Sequence, residues 1–378
     1  MPARLRLLLW LIPLVIAGTL IYKGRIHRGG MVDFGVYRVA AARALAGEPL
    51  YREEDGHYKF KYMPAFAMAM APFALIGLEP ARALWFAMSI ALLILYVRLA
   101  IVALPDRRLP VAALAAATVV VMGKFYGHEL TLGQTNVLQG LVIVTALLAA
   151  ERGRPYLAGA LAGIAVFVKP YAIILLPWIL AACGLGPALL AGAVVVAGML
   201  LPALVYGWNG NGELLVGWYR IVTGSTASTL VGNDSISIAS MWGKWLGAGP
   251  AATILAVVTA AALLGVVVAV FLRRSRVRGP EYLEVASLML LIPMLSPQGW
   301  DYVLLLGTPA VACLVDRCLD ITWPWQTATV VALAVLGLTI YDILGRDLYG
   351  RFMALSLVSV SAVVMLLLLA RLRWRGFA

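Results

Sequence analysis

The chain has 378 residues, 63% of them hydrophobic and 13% charged, with a formal net charge of +12. A soluble domain carries about 25% charged residues, so this composition excludes a soluble globular protein and predicts a polytopic membrane protein. The 30 Lys and Arg residues stand mostly in short clusters between apolar runs, which is how membrane topology is written and speaks against nucleic acid as a partner.

Residues 1–23, "MPARLRLLLWLIPLVIAGTLIYK", have the basic start and apolar centre of a signal peptide. They lack a small-x-small cleavage site, which predicts an uncleaved first span with Arg4 and Arg6 in the cytoplasm. A first external loop, 23–61, follows. Within it Phe34, Tyr37, Ala41, Ala44 and Leu45 recur at helical spacing, and Gly47 and Pro49 supply a stop. Residues 34–46 are therefore expected to form a short helix on the membrane surface, with Asp33 as its N-cap. Glu53, Glu54 and Asp55 read as a solvated charge run.

The stretch "YMPAFAMAMAPFALIG" (62–77) is expected to be re-entrant or interfacial. Only then do "PDRR" at 105, "ERGR" at 151, "RRSRVR" at 273, "DRCLD" at 316 and "RLRWR" at 371 fall on one, cytoplasmic, side. Later spans are predicted near 80–104, 109–123, 133–150, 155–168, 170–184, 186–206, 250–272, 282–296, 300–316, 322–342 and 352–370. With the first they make about twelve transmembrane helices in one all-α integral domain, 1–378, with both termini cytoplasmic. Cys183, Cys313 and Cys318 lie in or beside apolar runs without metal-ligand spacing, so neither a disulfide framework nor a zinc site is expected.

This topology gathers the unusual polar residues on the external face. They lie in the first loop, a turn at 123–136, the kink "FVKPY" at 167–171, a second long loop at 207–249, the turn "LSPQGWDY" at 295–302, and 341–351. Chemistry is therefore expected at the outer surface of the plasma membrane. Asp33 is a helix cap and, compatibly, a general base. Lys169 before Pro170 is either a cation for an anionic group or a lysine snorkelling to the surface. Gln134 and Asn136 either hydrogen-bond a polar ligand or open a span. His128, with Glu129, is either an acid/base or anion contact or a solvated loop residue. Arg220, Asn233, Asp234 and Lys244 belong to the second loop, where Asn233-Asp234-Ser235 is either a turn with a helix cap or a ligand contact. Trp300 is a ligand contact or an interfacial anchor, the role expected of most other loop tryptophans.

Five fragments in order resemble glycosyltransferase family 87: "DFGVYRVAAARALAGEPLY", "FKYMPAFAMAMAPFALI", "GQTNVLQGLVIVTALLAAERGRPYLAGALAGIAVFVKPYAIILLPWIL", "NDSISIASMWGKWLG" and "LSPQGWDYVLLLGTPA". The similarity runs from about residue 30 to 315. It implies a GT-C-type fold and a polyprenyl-phosphate sugar donor, typically of mannose. It implies a glycolipid or cell-envelope glycan as acceptor, and a catalytic base at Asp33, the acid just after the first span. Lys169, Tyr302, His128 and Arg220 are then candidates for the donor phosphate, and Gln134, Asn136, Asn233, Asp234, Trp300 and Asp301 for sugar and acceptor. Family members often carry His where this chain has Tyr302, which donates a hydrogen bond well but shuttles protons poorly near neutral pH. An inverting mechanism without metal or other cofactor is expected. The alternative class is a transporter or flippase of lipid-linked sugars, which calls for charges at the bilayer midplane and paired broken helices.

Overall fold

The computed structural model describes residues 18–19, 22–27, 29–225, 230–296 and 299–375. The predicted first span lies almost wholly outside the described residues, as do Pro297 and Gln298. Among the described residues the structure is helical, and the one isolated β-bridge is antiparallel, between Ser235 and Trp300.

The first loop folds as a cap. Helix α1 (Val32–Leu45) buries Phe34, Tyr37, Ala41 and Ala44 of the expected face, together with Ala40, whereas Leu45 is exposed. It packs on α2 (Pro64–Ala69) and α3 (Ala71–Ala74), which at six and four residues are too short to cross a hydrocarbon layer of about 30 Å. Residues 62–77 are thus no span. Aromatic rings fill the seam: Phe34 stacks on Trp85 at 5.4 Å, and Tyr37 meets Tyr62 edge-on at 4.9 Å. Glu53 and Glu54 are exposed, as expected of a solvated charge run, although Glu53 pairs with Lys59; Asp55 is partly buried and takes a bidentate hydrogen bond from Arg43 at 2.6 and 2.7 Å.

The helices that follow are α4 (Leu78–Val102), α5 (Val111–Leu132), α6 (Asn136–Glu151), α7 (Pro155–Val168), α8 (Leu176–Cys183), α9 (Leu185–Leu200) and α10 (Ala203–Gly224). Beyond them lie α11 (Ile238–Leu246), α12 (Pro250–Phe271), α13 (Glu281–Leu295), α14 (Thr308–Asp316), α15 (Trp325–Leu338), α16 (Tyr341–Ala354) and α17 (Leu357–Arg375). Four of these, α4, α5, α12 and α17, are long and apolar enough to cross a membrane. The pairs α9–α10 and α15–α16 qualify together but bend by 90° and 108°. Length and composition therefore support four to six spans among the described residues. The twelve predicted would require short helices such as α6, α7 and 170–183 to cross as well.

Helix α13 is the axis of the core. Every residue from Tyr282 to Met294 is buried, as expected of a helix that is apolar all round. Helices α7 and α9 approach closely along a small-residue face: a Cβ on Gly159 would lie 2.2 Å from the Pro187 carbonyl oxygen, and one on Gly163 2.7 Å from that of Ala191. The basic turns close one end of the bundle. Asp316 accepts from the backbone N–H groups of Arg108 at 3.0 Å and Leu109 at 2.8 Å, and Arg317 donates to the carbonyls of Pro105 and Asp106 at 3.1 and 2.7 Å. Helix α5 starts beside that turn and α7 starts beside Arg152 and Arg154, so both end at the opposite pole, where the first loop sits.

Candidate active site

A cavity of about 870 Å³ opens at that opposite pole, between the first loop, the ends of α5 and α7, helix α10 and residues 300–303. Its lining includes Asp33, His57, Lys59, Lys61, Tyr62, His128, Gln134, Lys169, Trp218, Asp234, Trp300, Asp301 and Tyr302. The volume lies within the range of about 300–1,000 Å³ usual for small-molecule sites.

Asp33 reaches the cavity from the first turn of α1. The cap position itself is taken by Met31, in the left-handed conformation, and no side chain caps this helix. The predicted N-cap role is thereby corrected. Two positions further in, Asp33 keeps the favourable end of the helix dipole but leaves its carboxylate for other partners. Oδ2 accepts a 2.7 Å hydrogen bond from the Gln134 amide. Burial raises its pKa above the ordinary carboxylate value, opposed by the Gln134 bond and by the charges of Lys169, Lys61 and His57.

Gln134 owes its place to Gly133. That glycine ends α5 in the left-handed region, φ 71°, where a Cβ would sit 2.8 Å from Phe34 Cβ. The chain therefore turns directly against the start of α1, where Met31 N–H donates to the Thr131 carbonyl at 2.7 Å. The buried Gln134 side chain is saturated. Nε2 donates to Asp33 and, at 3.2 Å, to the Tyr302 hydroxyl, while Oε1 faces Tyr37, Tyr62 and Lys169 at 3.2, 3.3 and 3.2 Å.

Lys169 ends α7 in an extended conformation, φ −151° and ψ 130°, which the following proline favours. Its ammonium lies 5.8 Å from the centre of the Tyr62 ring and 5.9 Å from that of Tyr302, within reach of cation–π attraction.

A second polar group stands behind residues 300–302. The strip is held to the second loop by hydrogen bonds from Ile236 N–H to the Gly299 carbonyl at 2.7 Å and from Asp301 N–H to the Asp234 carbonyl at 2.9 Å. The Asp301 carboxylate meets Lys124 Nζ at 2.8 Å and His128 Nδ1 at 3.3 Å.

Residues 60–297 match the family model of glycosyltransferase family 87. The chain belongs to glycosyltransferase family 87. No curated protein and no solved structure matches it significantly. The matched segment is narrower than the 30–315 suggested by the fragments, and it leaves Asp33 and residues 300–302 outside.

In this membrane glycosyltransferase the cavity unites Asp33, His128, Gln134, Lys169, Asp234, Trp300, Asp301 and Tyr302. Three candidates are not brought in. Asn136 is fully buried and donates to Glu129 at 2.7 Å, because Glu129 also receives the Val137 N–H at 2.8 Å and so caps α6. Arg220 and Asn233 are exposed and outside the lining, with the Asn233 carbonyl accepting from Lys244 Nζ at 2.9 Å. The predicted turn at 123–136 is instead helical through Leu132, which carries His128 and Glu129 on α5. Sequence reasoning overlooked Lys124, Lys61, His57, Tyr37 and Tyr62. Lys124 and His128 are four residues apart, the spacing that places two side chains on one helical face. Among the described residues no three His, Cys, Asp or Glu side chains converge as a metal-ligand set.

Proposed function

We propose that this glycosyltransferase moves a hexose, mannose in the first instance, from a polyprenyl-phosphate donor to a hydroxyl of a glycolipid or cell-envelope glycan. Asp33 takes the hydroxyl proton as the acceptor oxygen bonds to the anomeric carbon on the face opposite the phosphate. The bond from that carbon to the phosphate oxygen breaks, and its electron pair leaves with the lipid phosphate. One displacement with one base inverts the anomeric centre, and no second nucleophile is invoked.

The observation that carries this reading is that one cavity holds a carboxylate, Asp33, and an ammonium, Lys169, on opposite ends of the same Gln134 amide. A base for the acceptor and a cation for the departing phosphate are what the reaction requires. The Tyr302 hydroxyl accepts from Gln134, so its own proton is available to the phosphate, and Lys169 supplies the charge without a metal. His128, engaged by Asp301 through Nδ1, offers Nε2 to the same phosphate. Asp234 and Trp300 flank the sugar and acceptor. The cavity lies at the pole opposite the basic turns, and the positive-inside rule puts that pole outside the cell and the termini inside.

The test is to supply membranes containing the protein with a panel of radiolabelled polyprenyl-phosphate sugars and to identify the labelled glycan or glycolipid. Transfer from the mannosyl donor, lost in Asp33→Asn at equal protein level, is the expected result. Undiminished product from the Asn variant rejects the assignment.

A further inference from the structure

Asp33 and Lys169 line one cavity with opposite charges, yet among the described residues they form no direct ion pair. The Gln134 side chain stands between them. With an anion against its nitrogen and a cation against its oxygen, the amide has one consistent orientation. Three tyrosines lock it there. Tyr37 and Tyr62 approach Oε1, and they meet each other at 2.7 Å, while Tyr302 takes the second N–H. The rings of Tyr62 and Tyr302 also lie near the Lys169 ammonium, holding it without neutralising its charge.

We propose that Gln134 is a positioning residue, an uncharged spacer that keeps the base Asp33 and the cation Lys169 from closing on each other. A direct Asp33–Lys169 pair would occupy the carboxylate oxygen that must take the acceptor proton and the ammonium protons that must meet the departing phosphate. The amide instead gives each charge one neutral hydrogen bond and leaves its remaining valences facing the cavity. The inference rests on the reaction proposed above. It replaces the sugar-binding role expected of Gln134 with one exerted through its neighbours.

Two variants with opposite electrostatic consequences test it, using full-length protein in membranes and a labelled polyprenyl-phosphate sugar. Gln134→Ala lets Lys169 reach Asp33, so kcat falls about 10²-fold, the loss that misplacing a reacting group brings. The acid limb of the pH–rate profile then moves to lower pH, because a paired cation favours the ionised carboxylate. Gln134→Glu sets a second carboxylate beside Asp33 and moves that limb to higher pH. The other groups facing Asp33, namely Lys61, His57, Tyr37, Tyr62 and Tyr302, are unchanged in both variants and cannot produce opposite shifts. If Gln134 serves Asp33 only as a hydrogen-bond donor, activity falls in both and the limb moves to higher pH in both, because Gln134→Ala then only removes the bond that favours the ionised carboxylate. That result overturns the proposal, as do unchanged activity in both and failure of both to accumulate. Asp33→Asn in the same membranes separates the cases: if it remains active, the reading of the reaction has failed, not that of the spacer.

Discussion

The Lys124 ammonium lies 2.8 Å from the Asp301 carboxylate, with the two side chains only 4% and 2% exposed. This contact joins α5 to the strip that carries Trp300 and Tyr302, and His128, one turn further along α5, adds a second contact to the same carboxylate. Removing one partner of a buried ion pair strands the other, at a typical cost of about 3–5 kcal/mol. Lys124→Met is therefore expected to lower the thermal unfolding temperature of the purified protein in detergent. The double variant Lys124→Met/Asp301→Leu, with no stranded charge, is expected to recover part of the loss. A single variant as stable as the parent would show that the pair contributes nothing.

Asp33→Asn should remove the base while keeping size and the capacity to meet Gln134. General-base catalysis contributes about 10²–10⁴-fold, and initial transfer rates should fall by that order while the protein accumulates normally. The pH dependence has a defined sign. Burial raises the Asp33 pKa, so its ionised, active form is lost as pH falls through a value above the ordinary carboxylate range of about 4. The acid limb of the parent profile should accordingly lie at higher pH than a solvated carboxylate gives. A limb at or below that ordinary value would contradict the burial of the base.

Lys169→Met tests the leaving-group role. Loss of a preorganised group that stabilises developing charge costs about 10²–10³ in kcat, and that range is the expected effect at saturating donor. The hydrophobic replacement retains the apolar stem beside Tyr62 and Tyr302, so a loss of folding is not anticipated. A variant changed only in its affinity for the acceptor would place Lys169 on the wrong substrate.

How far the sequence discloses this site depends on whether a residue's partner is near or far along the chain. Helix boundaries set by long apolar runs and by Gly or Pro are legible: the bounds predicted at 250–272 return as those of α12, Pro250–Phe271, and the bounds at 155–168 as those of α7, Pro155–Val168, a helix shorter than a span. The surface helix of the first loop emerges from its spacing for the same reason. Residues 123–132 are misread as a turn because Lys124, His128 and Glu129 are costly in an apolar helix unless paired. Their partners are remote or lie on the next helix: Asp301 is 173 positions beyond His128, and Glu129 spends its charge on the start of α6. Gln134 is similar, since five partners from four separate stretches saturate it, and a local reading leaves its amide free for a sugar. The bend at α9–α10 escapes detection because its apolar run continues through the break to Tyr206, whereas that at α15–α16 falls where the predicted span 322–342 gives way to the polar segment 341–351.

Gly133→Ala probes the turn that brings these stretches together. The position has φ 71°, and an added Cβ would lie 2.8 Å from Phe34 Cβ and 3.1 Å from Met31 Cβ. A non-glycine residue in the left-handed region costs about 1–2 kcal/mol, and here the methyl group must also push back the start of α1. The Gly133 carbonyl accepts from Trp85 Nε1 at 3.0 Å, which resists rotation of the turn and directs the displacement toward α1. That displacement separates Asp33 from Gln134, two residues that α1 and the α5–α6 turn bring together. The variant should thus lose transfer activity by about 10²-fold, as misplacing a reacting group by about 1 Å does, while its unfolding temperature drops by only a few degrees. Measuring both on the same preparation decides the matter: a parental rate in a stable Gly133→Ala protein would mean that the Asp33–Gln134 contact does not depend on this turn.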